Sequence, residues 1–278
     1  MKYLNLGCGS HYSTEKEWTN LDFISFGEGV IAHNLLSGIP FENNSFDLVY
    51  HSHVLEHFSK QDGENFIMEC LRVLRPNGVL RIAIPDLEQI AKLYLRFLEL
   101  GLNEPENVII KANYDWMLIE MYDQTVRNHS GGNMGKYLFQ DTIVNEEFVF
   151  ERIGKEGKDL RNTFLSSKNQ NQKPALKTKL SFVRIISELK RRIKSLIGKS
   201  NQTIVETEIG KFRLGGEIHQ WMYDRYSLTM LLKQKDADKI IIRDAFTSYL
   251  DNWSVYNIDG KDNIVRKPDS LFIEAIKK

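Results

Sequence analysis

Four points in the first 53 residues carry groups suited to holding a ligand: Gly7-Cys8-Gly9, Asp22, Asn34 and the run His51-Ser52-His53. The two glycines close a strand-like stretch, Tyr3-Leu4-Asn5-Leu6, where the chain must turn sharply with something close to its backbone. Backbone N–H groups in such a turn suit an anionic or polar group. A carboxylate such as Asp22 can accept from both vicinal hydroxyls of a ribose. A carboxamide such as Asn34 can accept from an adenine amino group. Together these points describe adenosine with a polar tail at the glycine turn. A dinucleotide reading competes for the same turn, but it wants G-x-G-x-x-G and an acid about 20 residues on. Here Tyr12 stands at the third glycine position, and Asp22 follows Gly9 by 13 residues.

Acid–base chemistry has its own candidates. His53 ends the fourth strand and would line the site, whereas His57 reads as a packing or capping residue. His219, within Glu217-Ile218-His219-Gln220-Trp221, reads either as a core residue or as a general base carried by a later segment. Asp86 either caps the helix that follows it or serves as a base or acceptor-binding carboxylate. His51, Glu56 and His57 suggest a metal, but no second set of ligands is spaced to complete a site, so no metal is expected.

Alternating strands and helices must position these groups. Residues 3–6, 18–23, 30–34 and 46–52 read as strands, the last a mostly apolar run of the kind buried on both faces. The stretch 10–17 is short for a helical crossover, which takes about a dozen residues. Residues 62–75 are helical, with Phe66, Cys70, Val73 and Leu74 on one face. A turn at Pro76-Asn77-Gly78 leads to a fifth strand, 79–84, stopped by Pro85-Asp86. The next helix runs from 87 to about 100 and is ended by Gly101. The alternation resumes with a helix near 226–235 and strands at 239–243 and 271–276. The interval 102–216 holds an aromatic-rich helical part at 114–122 and a turn at Gly131-Gly132. A polar, flexible loop at 165–175 and a basic amphipathic helix at 177–199 follow. In that helix eight Lys or Arg stand against the single acid Glu188. The pattern predicts an α/β fold of parallel βαβ units, one domain over 1–278, with 102–216 as a mainly helical internal insertion.

Bulk properties narrow the classes. The 278 residues are 42% hydrophobic and 11% aromatic, enough for a real core. Thirty-seven basic residues cancel 37 acidic ones, so no global field favours nucleic acid. The two cysteines, Cys8 and Cys70, exclude a disulfide framework and suit a reducing compartment. Met1-Lys2 leads straight into a strand without the apolar region of a signal peptide. A cytoplasmic protein is expected, and the basic helix 177–199 suits peripheral contact with an anionic membrane. Oligomeric state is not readable.

The segments LNLGCGS (4–10), NLDF (20–23), IPFENNSFDLVYHSHVLEHF (39–58) and LRVLRPNGVLRIAIPD (71–86) resemble class I S-adenosylmethionine-dependent methyltransferases. With GEIHQWMYDRYSLTMLL (216–232) and KPDSLFIEAIKK (267–278), the chain is most similar to bacterial type-11-like members found with surface-glycan biosynthesis. The resemblance implies a Rossmann-like, doubly wound seven-stranded sheet in the order 3-2-1-4-5-7-6, its last strand antiparallel. It implies that Gly7, Cys8 and Gly9 meet the cofactor's methionine and ribose, Asp22 the ribose hydroxyls, and Asn34 and Leu35 the adenine. Ser52 and His53 would line the reactive end. Asn5 stands where many members carry an acid that holds the cofactor's amino group, His11 where a third glycine often sits, and Asn34 where aspartate is commoner. The loop Arg127 to Gly132 is similar to one in the same group and reads as an acceptor contact or a plain turn.

The implied function is methyl transfer to a small-molecule or glycan acceptor, a sugar hydroxyl above all. His219, His53 and Asp86 are the catalytic candidates, because a hydroxyl loses a proton as it is methylated. The insertion would act as a lid and form the acceptor pocket, replacing N-terminal helices that cover the site in many members. A catalytically silent cofactor-binding scaffold and a membrane-surface binding protein are the alternatives.

Overall fold

The computed structural model describes residues 1–25, 27–169 and 201–278. The expected basic helix 177–199 therefore lies outside the described residues, as do residues 170–175 of the expected loop.

Seven strands form the central sheet: β1 (Tyr3–Leu6), β2 (Trp18–Asp22), β3 (Val30–Ala32), β4 (Phe46–Ser52), β5 (Leu74–Pro85), β6 (Ala237–Arg243) and β9 (Ser270–Lys277). Their order is β3-β2-β1-β4-β5-β9-β6. The first five pair in parallel, and β9 runs antiparallel to both β5 and β6. Numbered within the sheet this is 3-2-1-4-5-7-6, the expected Rossmann-like arrangement. A short hairpin of β7 (Gly260–Lys261) and β8 (Ile264–Val265) has no counterpart in the sequence reading. Two-residue strands carry too little periodicity to announce themselves.

A parallel sheet must be covered on both faces. One face packs on α1 (Lys60–Val73) and α7 (Arg225–Gln234), where Leu4, Leu6, Val49, Ile82 and Ile273 meet Phe66, Ile67, Cys70, Leu228 and Leu232. Ser59 caps α1, its hydroxyl accepting from Asp62 N at 3.2 Å. Asp224 opens α7 with a capping box. The opposite face is covered differently. The stretch 10–17 forms no helix, and aromatics from the C-terminal side take its place. Trp253 and Ile258 bury Tyr3, Trp18 and Tyr50. Tyr256 meets the Tyr3 and Trp18 rings edge-on at 5.9 and 5.4 Å.

The interval 102–216 is mainly helical among its described residues, and with α2 (Leu87–Asn103) it forms a small core of Ile90, Phe97, Trp116, Met117, Leu138 and Val149. Helix α2 enters it, followed by α3 (Val108–Val126), α4 (Gly132–Leu138), α5 (Glu146–Asn169) and α6 (Asn201–Arg213). Two boundaries differ from expectation. Gly101 does not end α2, because packing on α3 outweighs a glycine's cost of about 1 kcal/mol. The helix stops at Glu104, ahead of Pro105. Residues 165–169, expected in a loop, continue α5. That helix breaks earlier, at Gly154, where φ is 63°. A Cβ at Gly154 would stand 2.4 Å from the Arg266 carbonyl oxygen, so the crossing chain demands a glycine there. The expected turn at 76–78 is an irregularity inside β5: pairing jumps from Phe46 with Leu74 to Leu48 with Val79, and Asn77 takes a φ of 64°. Among the described residues no helix is long and apolar enough to cross a membrane.

A fully buried arginine ties these layers together. Arg81, on β5, donates to Asp259 Oδ2 at 2.8 Å and Glu274 Oε1 at 3.0 Å. Its remaining N–H groups reach the carbonyls of Thr247 and Asp244, both at 2.8 Å. Tyr50 donates to the other Asp259 oxygen at 2.6 Å. Burial raises the Asp259 carboxyl, and Arg81 pulls it back down. Breaking such a pair strands buried charge, so Arg81→Met is expected to lower stability by about 3–5 kcal/mol. The urea unfolding midpoint reads this, and a change below about 1 kcal/mol would show the network to be incidental.

Candidate functional site

The strand register brings the ligand-suited points to one edge. Leu6 pairs with Leu21 on one side and His51 on the other, so β1, β2 and β4 end at the same level. Gly9 N donates to Asp22 Oδ2 at 2.7 Å, and Cys8 N donates to the Leu21 carbonyl at 3.1 Å. The acid that ends β2 is therefore joined directly to the glycine turn. The two glycines have different reasons. A Cβ on Gly7, where φ is 64°, would collide with Val54 Cγ2 at 2.3 Å, so the close neighbour there is Val54. Gly9, at a φ of 56°, has nothing within 4 Å of where its Cβ would be. The room for a ligand lies at Gly9.

The other cofactor candidates divide. Asn5 is buried and donates to Asn20 Oδ1 at 3.3 Å, while Asn20 donates to the Ser13 carbonyl at 2.9 Å. This chain holds the stretch 10–17 under the turn, so the structure ties the Asn5 carboxamide to scaffolding. Burial, with Asp22 beside it, pushes the Cys8 thiol up to about 12, so it stays protonated. Asn34 is exposed and accepts from Leu36 N at 3.0 Å, capping a 3₁₀ turn at Leu35–Ser37. Leu35 packs against the main core. Ser52 ends β4 half-buried, and His53 follows in the left-handed conformation at a φ of 54°, its N–H donated to the Ala83 carbonyl at 2.9 Å.

Beyond His53 the chain folds back into a buried polar cluster. His53 Nε2 lies 2.8 Å from Ser270 Oγ, and its Nδ1 is 3.4 Å from Glu56 Oε1. His219 arrives from the end of the insertion, with Nε2 4.0 Å from the same Glu56 oxygen. His57 and His219 meet edge to face at 4.9 Å. Backbone bonds bind the two segments: Gln220 N and Trp221 N donate to the Glu56 carbonyl at 2.7 and 3.3 Å. Burial holds the His53 and His219 imidazoles well below their usual range and pushes the Glu56 carboxyl up to about 8. The cluster thus holds neutral imidazoles around a carboxyl that resists ionisation. Glu56 is the residue the sequence reading undervalued. Its signal was an acid set in the apolar run Val54-Leu55-Glu56-His57-Phe58, a place where a charge is costly.

Asp86 sits apart in role. Its Oδ1 accepts from Glu88 N and Gln89 N at 3.0 and 3.2 Å, which makes it the cap of α2. The loop from Arg127 to Gly132 is internally anchored. Arg127 pairs with Asp123 at 2.7 Å and Glu217 at 3.1 Å, and Asp123 accepts from Asn133 N at 2.6 Å. A cleft of about 890 Å³ opens beside the glycine turn, walled by Ser10 and His11 on one side and by Lys155, Asp159 and Arg266 on the other.

Residues 11–82 match the model of a family described as a methyltransferase domain. A probable S-adenosylmethionine-dependent methyltransferase of Mycolicibacterium smegmatis is 39% identical over 56 residues, 20% of this chain. The chain spans about a fifth of the length of that curated relative, 21%. Among solved structures, an S-adenosylmethionine-dependent methyltransferase of Thermotoga maritima is 10% identical, covering 100% of this chain and 82% of its own at a TM-score of 0.39. One from Archaeoglobus fulgidus is 11% identical, covering 99% and 86%, also at 0.39. At those scores the fold assignment rests on the strand order itself.

His51 gives the edge a measurable signature. It is fully buried on β4 against Phe66, with rings 5.0 Å apart, and neither ring nitrogen has a hydrogen-bond partner. Burial lowers its pKa to about 3. Its folded value is below its unfolded value, so its contribution is complete above about pH 6.5 and is lost as pH falls toward 3. The slope is about 1.4 kcal/mol per pH unit. His51→Phe should flatten the fall in stability between these limits, read by urea unfolding across pH. An unchanged slope would mean the imidazole is not held neutral.

Proposed function

We propose that the protein transfers the methyl group of S-adenosylmethionine to an oxygen acceptor, a hydroxyl of a sugar or of a glycan intermediate. The observation that carries this reading is the bond between Gly9 N and Asp22. It joins a turn with open space over its backbone to the acid that ends β2, at the edge where such sheets bind ligands. Of that edge, Asp22 and the end of β4 fall within the matched segment, 11–82, which the glycine turn precedes.

The residues fit the cofactor. The space at Gly9 admits its methionine end, Asp22 suits the ribose hydroxyls, and Asn34 with Leu35 suits the adenine. Ser52 and His53 face the reactive end. When bound, S-adenosylmethionine supplies an electrophilic methyl on a sulfonium, so the protein's main tasks are alignment and exclusion of water. The acceptor class follows from the cluster behind β4. A hydroxyl sheds a proton as it is methylated, and the unprotonated imidazoles of His219 and His53 are the groups to take it. The segments that resemble the surface-glycan group are the ones that reach this cluster: 216–232 brings His219, and 267–278 brings Ser270 to His53. The helices of the insertion serve as cover and acceptor wall.

Asp22→Ala should weaken S-adenosylmethionine binding by about 1.5–3 kcal/mol, measured by titration calorimetry alongside the demethylated product. Wild-type affinity in the variant would remove Asp22 from the site. Failure of the wild-type chain to bind either molecule would overturn the enzyme reading. Labelled-methyl assays against nucleotide sugars and cell-envelope extracts then test the acceptor class.

A further inference from the structure

Glu56 is a buried carboxyl without a hydrogen bond. Its side chain is 1% exposed, and neither carboxylate oxygen has a hydrogen-bond partner. A carboxylate placed this way must stay protonated or be matched by a cation. Among the described residues no Lys or Arg pairs with it: the Lys267 ammonium lies 3.6 Å from Glu156. What surrounds Glu56 instead is imidazole. One ligand atom each from Glu56, His57 and His219 lies within 4.8 Å of the other two.

We propose that Glu56, His57 and His219 bind a divalent transition-metal ion such as Zn²⁺, Fe²⁺ or Mn²⁺. Two imidazole nitrogens and one carboxylate oxygen are a recognised donor set for these cations, and three protein ligands leave positions open. The supporting shell is in place. His57 Nδ1 stands 3.2 Å from the Ile218 carbonyl, which holds a proton on that nitrogen and turns the Nε2 lone pair outward. His219 is fixed through its own N–H, donated to the Gln124 carbonyl at 2.9 Å, and Gln220 Nε2 donates to the His57 carbonyl at 2.8 Å. The two segments are therefore locked in register before any ion arrives. Donors bonded at about 2.1 Å stand about 3.4 Å apart in a tetrahedral site, so the three groups need only draw inward by side-chain rotation. His53 Nδ1, 3.4 Å from Glu56 Oε1, stands by as a fourth group. The sequence reading missed the set because His219 lies across the whole insertion from His57.

The metal site deepens the proposed methyl transfer and, in its functional role, rests on it. An open coordination position would take the acceptor oxygen and lower the pKa of its hydroxyl. His219 would then hold the metal, and the hydroxyl proton would pass to water as the oxygen takes the methyl from the sulfonium.

The test uses the full chain after chelation and dialysis. Titration with Co²⁺, followed by visible absorption, should give a ligand-field spectrum saturating at one equivalent per chain, and Zn²⁺ should displace it. Glu56→Gln and His219→Ala should each lose stoichiometric binding, with circular dichroism confirming that both variants fold. If either variant unfolds, His57→Ala replaces it. No saturable binding by Co²⁺, Zn²⁺ or Mn²⁺, or binding that folded variants retain, would overturn the proposal. S-adenosylmethionine binding is titrated on the same metal-free protein. A chain that takes Co²⁺ but not S-adenosylmethionine keeps the metal site and loses the methyl-transfer reading. The reverse result loses only the metal.

Discussion

The rest of the molecule depends on one buried cation, the Arg81 guanidinium. It sits on β5 with two carboxylates, two carbonyls and, through Asp259, a tyrosine hydroxyl around it. A guanidinium in a core is costly unless each N–H is matched, and here the matching partners come from three places: β4, β9 and the stretch 244–259. Satisfying Arg81 therefore brings the far end of the chain onto the sheet. That end carries Trp253 and Tyr256, which cover the face above β1 and β2 where no crossover helix exists. The glycine turn and Asp22 stand on that covered framework. An electrostatic demand in the core is what supports a ligand edge some distance away.

At the site the physics changes character. The glycine turn and Asp22 form an open, hydrogen-bonded edge. Behind β4 lies a dry cluster in which imidazoles are held neutral and a carboxyl resists ionisation. The left-handed His53 marks the border between the two. The insertion contributes to both, with α5 walling the cleft beside Ser10 and the segment after α6 delivering His219.

Much of the fold was legible because its signals are local. Apolar runs such as Phe46–Ser52 and the glycine turn announce themselves within a few residues, and the resemblance supplied the strand order. What escaped was set by distant partners. Gly7 is a glycine because of Val54, and Gly154 because Arg266 crosses it. Asn5 serves Asn20 and Ser13. Gly101 looked like a stop, yet packing on α3 carried the helix past it. Asp86 has a capping position and a site position in sequence, and its bonds to Glu88 and Gln89 show the cap. The Glu56 cluster was half visible, since one of its histidines arrives from the other side of an insertion that no short-range pattern can bridge.

The position of β9 has a consequence for how the chain comes into being. Among the described residues strand β6 pairs with β9 alone, and β5 has its second edge covered by the same strand. Because β9 is made after both, a nascent chain carries two bare strand edges, and Arg81 waits without Glu274. Such edges invite pairing with other chains. The arrival of β9 closes the sheet, matches the buried guanidinium and fastens the Trp253 cover in one event, so a chain that lacks it is adhesive and one that has it is not.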